Sequence, residues 1–340
     1  MNPAVSEALA LYGLADAKAA PLRHNENELY RIDLPGKAFA LRIHKSAPGF
    51  TAPDYVPQGV AAREGELALL LALGERGMAV QRPVRDMHDR LVPTLKDGTP
   101  VSLLEWACGE TLEALYPNGL PEKAAFAVGE AAGRLFALQK EKPLPGDLLR
   151  PRYGPGMLAG IEEAIRRARE ADALTKDAFE AIRRCLAACD PLLREAECRF
   201  GVSICHSDLS PGNMVYENGQ ITLIDFSLCG YASPLMDLGS LFANFTRAGE
   251  QPALLAGWEQ ASGLNSARRN TDGMYPGGIS AGKNAAVALA EPYFAMGILL
   301  FIAARYENAP AWDWFPAAVE RWTNTVFKPL ARGERFLAAE

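Results

Sequence analysis

The side chains best able to do chemistry cluster between residues 204 and 226, which read I-C-H-S-D-L-S-P-G-N-M-V-Y, E-N-G-Q and I-T-L-I-D-F. Apolar runs on either side of Glu217-Asn218-Gly219-Gln220 predict a β-hairpin, with Met214 to Tyr216 as one strand and Ile221 to Ile224 as the other. Asp208 and Asn213 precede the first strand and Asp225 ends the second. A hairpin brings its open ends together, so Asn213 and Asp225 become neighbours in space. Two hard oxygen ligands beside a third carboxylate suit Mg²⁺, which takes carboxylate, amide and phosphate oxygens. Asp208 is then free to orient an attacking hydroxyl and accept its proton.

These residues need a scaffold, and the flanking sequence supplies one in two parts. The first hundred residues read as short strands around one helix. Ala20 to Arg23, Leu29 to Leu34, Ala38 to His44, Arg90 to Pro93 and Val101 to Trp106 are the strand candidates, and Ala61 to Arg76 is the helix, ending at Gly77. Pro35-Gly36-Lys37 and Lys96-Asp97-Gly98 are turn signals. From Gly109 onward long alanine-rich helical stretches take over: Pro121 to Lys140, Met157 to Glu170, Lys176 to Cys198, Pro234 to Thr246, Pro252 to Ser262, Ala285 to Tyr306 and Pro316 to Leu330. The reading is α+β, with a β-rich lobe over 1–104, a connector over 105–109 and a mainly helical lobe over 110–340 carrying the hairpin insert.

Composition narrows the field. The chain has 340 residues, is 49% hydrophobic and 22% charged, and carries a net charge of −6, which is ordinary for a globular protein and gives no basic field for a nucleic-acid backbone or an anionic membrane. The start, MNPAVSEALALYGL, lacks a cationic region before its apolar residues and does not read as a signal peptide. The apolar run Tyr293 to Ala304 is too short to span a bilayer and reads as a buried helix. The six cysteines show no C-x-x-C spacing, so neither a disulfide framework nor a zinc site is expected, and the default is a soluble protein of the reducing cytoplasm.

His206-x-Asp208-x-x-x-x-Asn213 followed by Ile224-Asp225-Phe226 resembles the catalytic and metal-binding loops of the protein-kinase-like superfamily. Within it the chain resembles the aminoglycoside phosphotransferase family, which includes homoserine, choline and fructosamine kinases. Supporting segments are Asn25 to Tyr30 (first hairpin), Phe39 to Ile43 (third strand), Leu103 to Trp106 (lobe connector) and Ser233 to Leu238 (the P-x-x-D-L step). The resemblance implies a bilobal kinase-like fold and an ATP- and Mg²⁺-dependent phosphotransferase acting on a hydroxyl of a small molecule. It makes Asp208 the base, Asn213 and Asp225 the metal ligands, and His206 and Asp237 the braces of the catalytic loop. Arg42 would reach the α- and β-phosphates with Glu66 as its ion-pair partner, Glu64 remaining an alternative. Asn27 and the connector backbone at Glu105 and Ala107 complete the nucleotide contacts. Trp312, Trp314, Phe315 and Trp322 read as core, while Glu291, Tyr293 or Asp313 are candidates to touch the acceptor.

Three departures shape that expectation. No G-x-G-x-x-G separates the first two strands; the loop is His24-Asn25-Glu26-Asn27-Glu28. Ser207 replaces the arginine that would pair with a phosphorylated activation loop, and only eleven residues separate Asp225 from Asp237, too few for a peptide-seating segment. A bacterial Ser/Thr protein kinase of the same fold and a nucleotide-binding pseudokinase are therefore the secondary readings. Gly277 to Asn284 nearly matches G-x-x-x-x-G-K-[ST], but Asn284 lacks the hydroxyl and no apolar strand leads into Gly277, so it reads as a loop over the acceptor cleft.

Overall fold

A computed structural model describes residues 2–24, 27–45, 56, 59–142, 144, 148–247, 249–264, 285–307 and 312–337. Asn25, Glu26, most of the loop from Ser46 to Gly59 and the near-match at Gly277 to Asn284 lie outside them.

The chain opens with a helix absent from the sequence-based expectation. In α1 (Pro3–Leu11) the Asn2 side chain caps the Ala4 N–H at 3.0 Å and Pro3 fills the first turn, where its missing N–H costs nothing. Val5, Ala8 and Leu9 are buried in the same apolar cluster as Ile32, Leu41 and Leu103. Among the described residues the first hundred positions therefore hold two helices, α1 and α2 (Val60–Glu75).

The sheet consists of β1 (Lys18–His24), β2 (Asn27–Leu34), β3 (Lys37–His44), β4 (Pro83–Val84) and β5 (Val101–Glu105), in the order β1-β2-β3-β5-β4 with antiparallel neighbours. The β2–β3 turn falls at Pro35-Gly36, as its sequence predicts, with Gly36 at φ +75°. Arg90 to Pro93 is not a strand, and β4 takes the edge place at Pro83–Val84 instead. Asp86 is the reason: its carboxylate accepts the N–H groups of His88 (3.0 Å) and Arg90 (2.8 Å) and holds the Arg90 guanidinium at 2.6 Å, folding 86–90 into a turn. Pro93 has no N–H to give a ladder.

Beyond the connector the chain forms β6 (Glu110–Thr111), α3 (Leu112–Leu115), α4 (Glu122–Glu141), α5 (Leu158–Glu170), α6 (Lys176–Phe200) and β7 (Ser203–Cys205). Next come the hairpin β8 (Met214–Glu217) and β9 (Gln220–Leu223), then β10 (Gly230–Ala232), α7 (Leu235–Asn244), α8 (Glu250–Ser262), α9 (Ala285–Arg305), α10 (Phe315–Trp322), a π-helical turn Thr323–Phe327, and α11 (Lys328–Ala331). The helices predicted from the sequence are all present with ends shifted by a few residues, and the last is broken by the π-turn. One large apolar cluster unites them with the hairpin. The crossing of α4 and α8 depends on missing side chains. A Cβ at Gly129 would strike the Leu254 carbonyl, one at Gly257 the Phe126 carbonyl, and one at Gly133 would lie 2.5 Å from the Trp258 oxygen.

In α9, the segment Ala286–Arg305 is long and apolar enough to cross a membrane, with mean hydropathy 1.9, but 78% of it is buried inside the fold. All six cysteines are free; Cys185 and Cys189 sit one turn apart in α6. The architecture is thus α+β: an antiparallel-sheet part followed by a helical part with small β inserts.

Candidate active site

The hairpin forms where the sequence predicts it. Met214 pairs with Leu223 and Glu217 with Gln220, while Asn218 (φ +50°) and Gly219 (φ +89°) supply the two left-handed residues of a tight turn matched to strand twist. At the open end Ile224 donates its N–H to the Asn213 carbonyl at 2.9 Å, which brings Asn213 and Asp225 together. Asp225 adopts φ +61°, ψ +67°, a left-handed conformation that Asp tolerates better than most residues.

The loop after β7 is held from beneath. Asp237, at the start of α7, accepts the His206 N–H at 3.0 Å and the Ser207 N–H at 2.8 Å. Burial raises the Asp237 carboxyl above its ordinary range, and these two N–H groups pull the other way. The His206 ring donates from Nε2 to the Ile224 carbonyl at 2.9 Å, which leaves Nδ1 to accept the Asp208 N–H at 3.3 Å. One imidazole therefore ties the Asp208 backbone to the strand end that carries Asp225. Phe226 packs on the same ring at 4.4 Å between centroids.

Asp208 faces the cleft with its Oδ2 2.8 Å from Asn213 Nδ2. Burial, and then the nearby negative charge of Asp225, raise the Asp208 carboxyl. Burial would do the same at Asp225, but Arg42 and the N–H and hydroxyl of Ser227 outweigh it and hold that carboxyl below its usual range. The two neighbouring carboxyls are thus shifted in opposite directions.

On the sheet side, Arg42 of β3 reaches Glu66 of α2 at 2.7 Å and Asp225 at 3.7 Å. Glu66 is buried and Glu64 is exposed, which resolves the alternative between them. Asn27 lies opposite His44 in the β2–β3 ladder, with its Oδ1 3.2 Å from His44 Nδ1. In the connector the Glu105 N–H goes to the Arg82 carbonyl (2.8 Å) and the Trp106 N–H to the Ala38 carbonyl (3.0 Å), while the Ala107 N–H has no partner among the described residues. The connector ends at Gly109, whose φ of +101° and contact with the Tyr216 carbonyl leave no room for a Cβ.

Arg150 was not anticipated. It is buried, and its guanidinium donates to the carbonyls of Cys229 (2.8 Å), Ser227 and, at 2.9 Å, Ala62 of α2. It fastens the segment after Asp225 to the helix that carries Glu66. No local motif marks it, because its partners are backbone oxygens 77 to 88 residues away.

Beside Asp208 a cavity of about 530 Å³ opens between α7, α9 and α10, with Ser207, Ser240, Asn244 and Tyr293 among its lining residues. Of the late-chain candidates, Tyr293 belongs to it. Glu291 does not: its buried carboxylate accepts the N–H groups of Phe336 (2.9 Å) and Leu337 (3.0 Å) and faces Arg335. Asp313 is exposed and outside the lining. The reading of the aromatics as core holds for Phe315, which is fully buried. It fails for Trp314, which is 50% exposed and lines the cavity with Trp322.

A divalent cation fits the donors present. Asn213 Nδ2 is committed to Asp208, so its Oδ1 has no partner among the described residues, and the Asp225 side chain remains 48% exposed toward the cleft. No cluster of three or more His, Cys, Asp or Glu side chains suited to a metal occurs among the described residues, so a bound ion would complete its shell with phosphate and water, the habit of Mg²⁺.

Comparisons with known proteins bear on the family and the fold. An amicoumacin kinase of Bacillus subtilis (strain 168) is 24% identical over 256 residues, 71% of this chain and 67% of that protein. Among solved structures, an amicoumacin kinase in complex with AMP-PNP, Ca²⁺ and Ami matches with a TM-score of 0.66 at 18% identity, covering 96% of this chain and 92% of the other. The microcompartment-associated aminopropanol kinase matches with a TM-score of 0.61 at 20% identity, covering 96% and 98%. The bilobal kinase-like fold is therefore shared with these proteins. With residues 18–275 matching the phosphotransferase enzyme family, the chain belongs to that family.

Proposed function

We propose that the protein transfers the γ-phosphate of ATP, with Mg²⁺, to a hydroxyl of a small molecule in the cytoplasm. The observation that carries this reading is the Asp208 carboxylate, anchored by Asn213 at 2.8 Å, standing at the mouth of a 530 Å³ cavity. Residues up to 104 form the nucleotide lobe, 105–109 the hinge and 110 onward the catalytic and acceptor-binding lobe. Arg42, held by Glu66, takes the phosphates; the connector at Glu105 and Ala107 takes the base, and Asn27 with its hairpin covers the nucleotide. His206 and Asp237 hold the catalytic loop, and Asn213 and Asp225 hold the metal. Bound Mg²⁺ would neutralise phosphate oxygens and polarise the transferring group. Asp208 aligns the acceptor hydroxyl and takes its proton as the oxygen attacks phosphorus and ADP departs. Such catalysis is mainly positioning and electrostatic stabilisation.

The test is ADP release with Mg²⁺–ATP against pooled acceptors (aminoglycosides, macrolides, amino alcohols, homoserine, sugars and nucleosides), with Asp208→Asn as the blank. Acceptor-dependent release that the variant lacks supports the reading. Equal release by the variant defeats the role given to Asp208.

A further inference from the structure

Members of one phosphotransferase family can share a catalytic loop and still differ in what they phosphorylate, because the acceptor is chosen by the walls beyond the base. Here those walls are mainly apolar, with Ser207, Ser240, Asn244 and Tyr293 as polar positions among them. Leu228, Met236, Ile298, Phe301, Trp314 and Trp322 line the cavity at Asp208. The Phe301 ring lies 6.0 Å from Trp314 and 6.1 Å from Trp322 between centroids, and Trp312 stacks behind Trp314 at 5.4 Å and 13°. Trp314 is held in place by these rings yet left half exposed, the state of an aromatic surface waiting for a partner.

The charges point the same way. Among the described lining residues Asp208 is the sole carboxylate. A second cavity of about 580 Å³ shares Ala243, Phe294 and Trp322 with the first, and its described lining contains no acid but two cations, Arg247 and Arg321. The Arg321 guanidinium lies 5.9 Å over the Trp322 ring, at the boundary between the two chambers. Among the described lining residues of the two chambers a polycationic sugar would meet one carboxylate, already occupied with the reacting hydroxyl, and two arginines opposing it. An aromatic or otherwise flat apolar body would find stacking surfaces that need no compensating charge.

We infer that the acceptor of this enzyme is a hydroxylated compound with a flat, largely apolar body and little or no positive charge, seated against Trp314 and Phe301, and that polyamine aminoglycosides are poor acceptors. The assignment rests on the phosphotransfer reading of the same site.

Calorimetric titration of the full chain tests it in two stages. Mg²⁺–AMP-PNP is titrated first; if it does not bind, the phosphotransfer reading falls and the acceptor assignment falls with it. The nucleotide-loaded protein is then titrated with 2-(2-naphthyl)ethanol and, separately, with kanamycin. The expected result is that the aryl alcohol binds at least about ten-fold more tightly, and that Trp314→Ala weakens it by about ten-fold, the order expected for one lost stacking surface. The nucleotide titration should be unchanged in that variant, since Trp314 lies on the acceptor side. Nucleotide binding together with equal or tighter binding of kanamycin, no saturable binding of the aryl alcohol, or indifference to Trp314→Ala overturns the acceptor class and leaves phosphotransfer standing.

Discussion

Asn213 Nδ2 donates to the Asp208 carboxylate at 2.8 Å and to the Asp208 carbonyl at 3.0 Å, so a single amide fixes side chain and backbone of the same aspartate. The remaining oxygen of that amide is the one proposed to hold metal. Asp208→Asn should cut kcat by about 10²-fold or more while leaving the Mg²⁺ requirement unchanged. Asn213→Ala should lower kcat and also raise the Mg²⁺ concentration for half-maximal rate. Steady-state rates across a Mg²⁺ series separate the two roles; identical shifts in both variants would contradict them.

Arg42 and Glu66 form a pair with side chains 8% and 1% exposed. Removing Glu66 leaves the buried Arg42 guanidinium with only its longer 3.7 Å contact to Asp225, a loss of at most roughly 3–5 kcal/mol. Glu66→Ala should therefore lower the urea midpoint and raise KM for ATP. Glu64→Ala, on the exposed face of the same helix, should change neither.

The opposed shifts of Asp208 and Asp225 fix a pH dependence. Asp208 must be ionised to accept a proton, and its pKa is raised, so kcat/KM for the acceptor should fall on acidification at a pH above the ordinary aspartate value of 3.8. A raised carboxyl favours the fold below its unfolded pKa, and this contribution is lost as pH rises through the folded value. At neutral pH the ionised Asp208 thus weakens the fold. Asp208→Asn should raise the thermal midpoint near pH 7, and the gain should vanish below pH 3.8. Asp225 has the opposite sign: its contribution is present above the ordinary value and lost as pH falls through its own lower pKa. A thermal midpoint that drops in Asp208→Asn at neutral pH would contradict the first half of this account.

The α4–α8 contact makes a separate structural forecast. Gly129→Ala places a methyl group against the Leu254 carbonyl and should cost about 1–3 kcal/mol through overpacking, read as a lower thermal midpoint with KM values unchanged. Gly74→Ala, on the exposed side of α2, where the added methyl would meet only the Val80 side chain at 4.0 Å, is the control.

How much of this the sequence reveals depends on how local the determinants are. The hairpin, its turn and the Asn213–Asp225 meeting were legible because a strand period and an Asn-Gly turn encode them within a dozen residues. Glu66 was preferred to Glu64 only through the family resemblance, since helix spacing alone does not say which carboxylate faces β3. The edge strand was misplaced because the apolar residues near Val92 resemble a strand, while the deciding contact, Asp86 to the N–H groups of His88 and Arg90, leaves no periodic trace. Helix α1 was missed although Asn2 and Pro3 mark its start. Trp314 was assigned to the core because an aromatic at helical spacing looks the same whether it faces protein or an open cavity.

Arg150 ties three parts of the centre into one block: the carbonyls after Asp225, the helix bearing Glu66, and its own segment. Its acceptors are main-chain oxygens, which no exchange of the side chains at Ala62, Ser227 or Cys229 removes, so the whole tie hangs on one guanidinium.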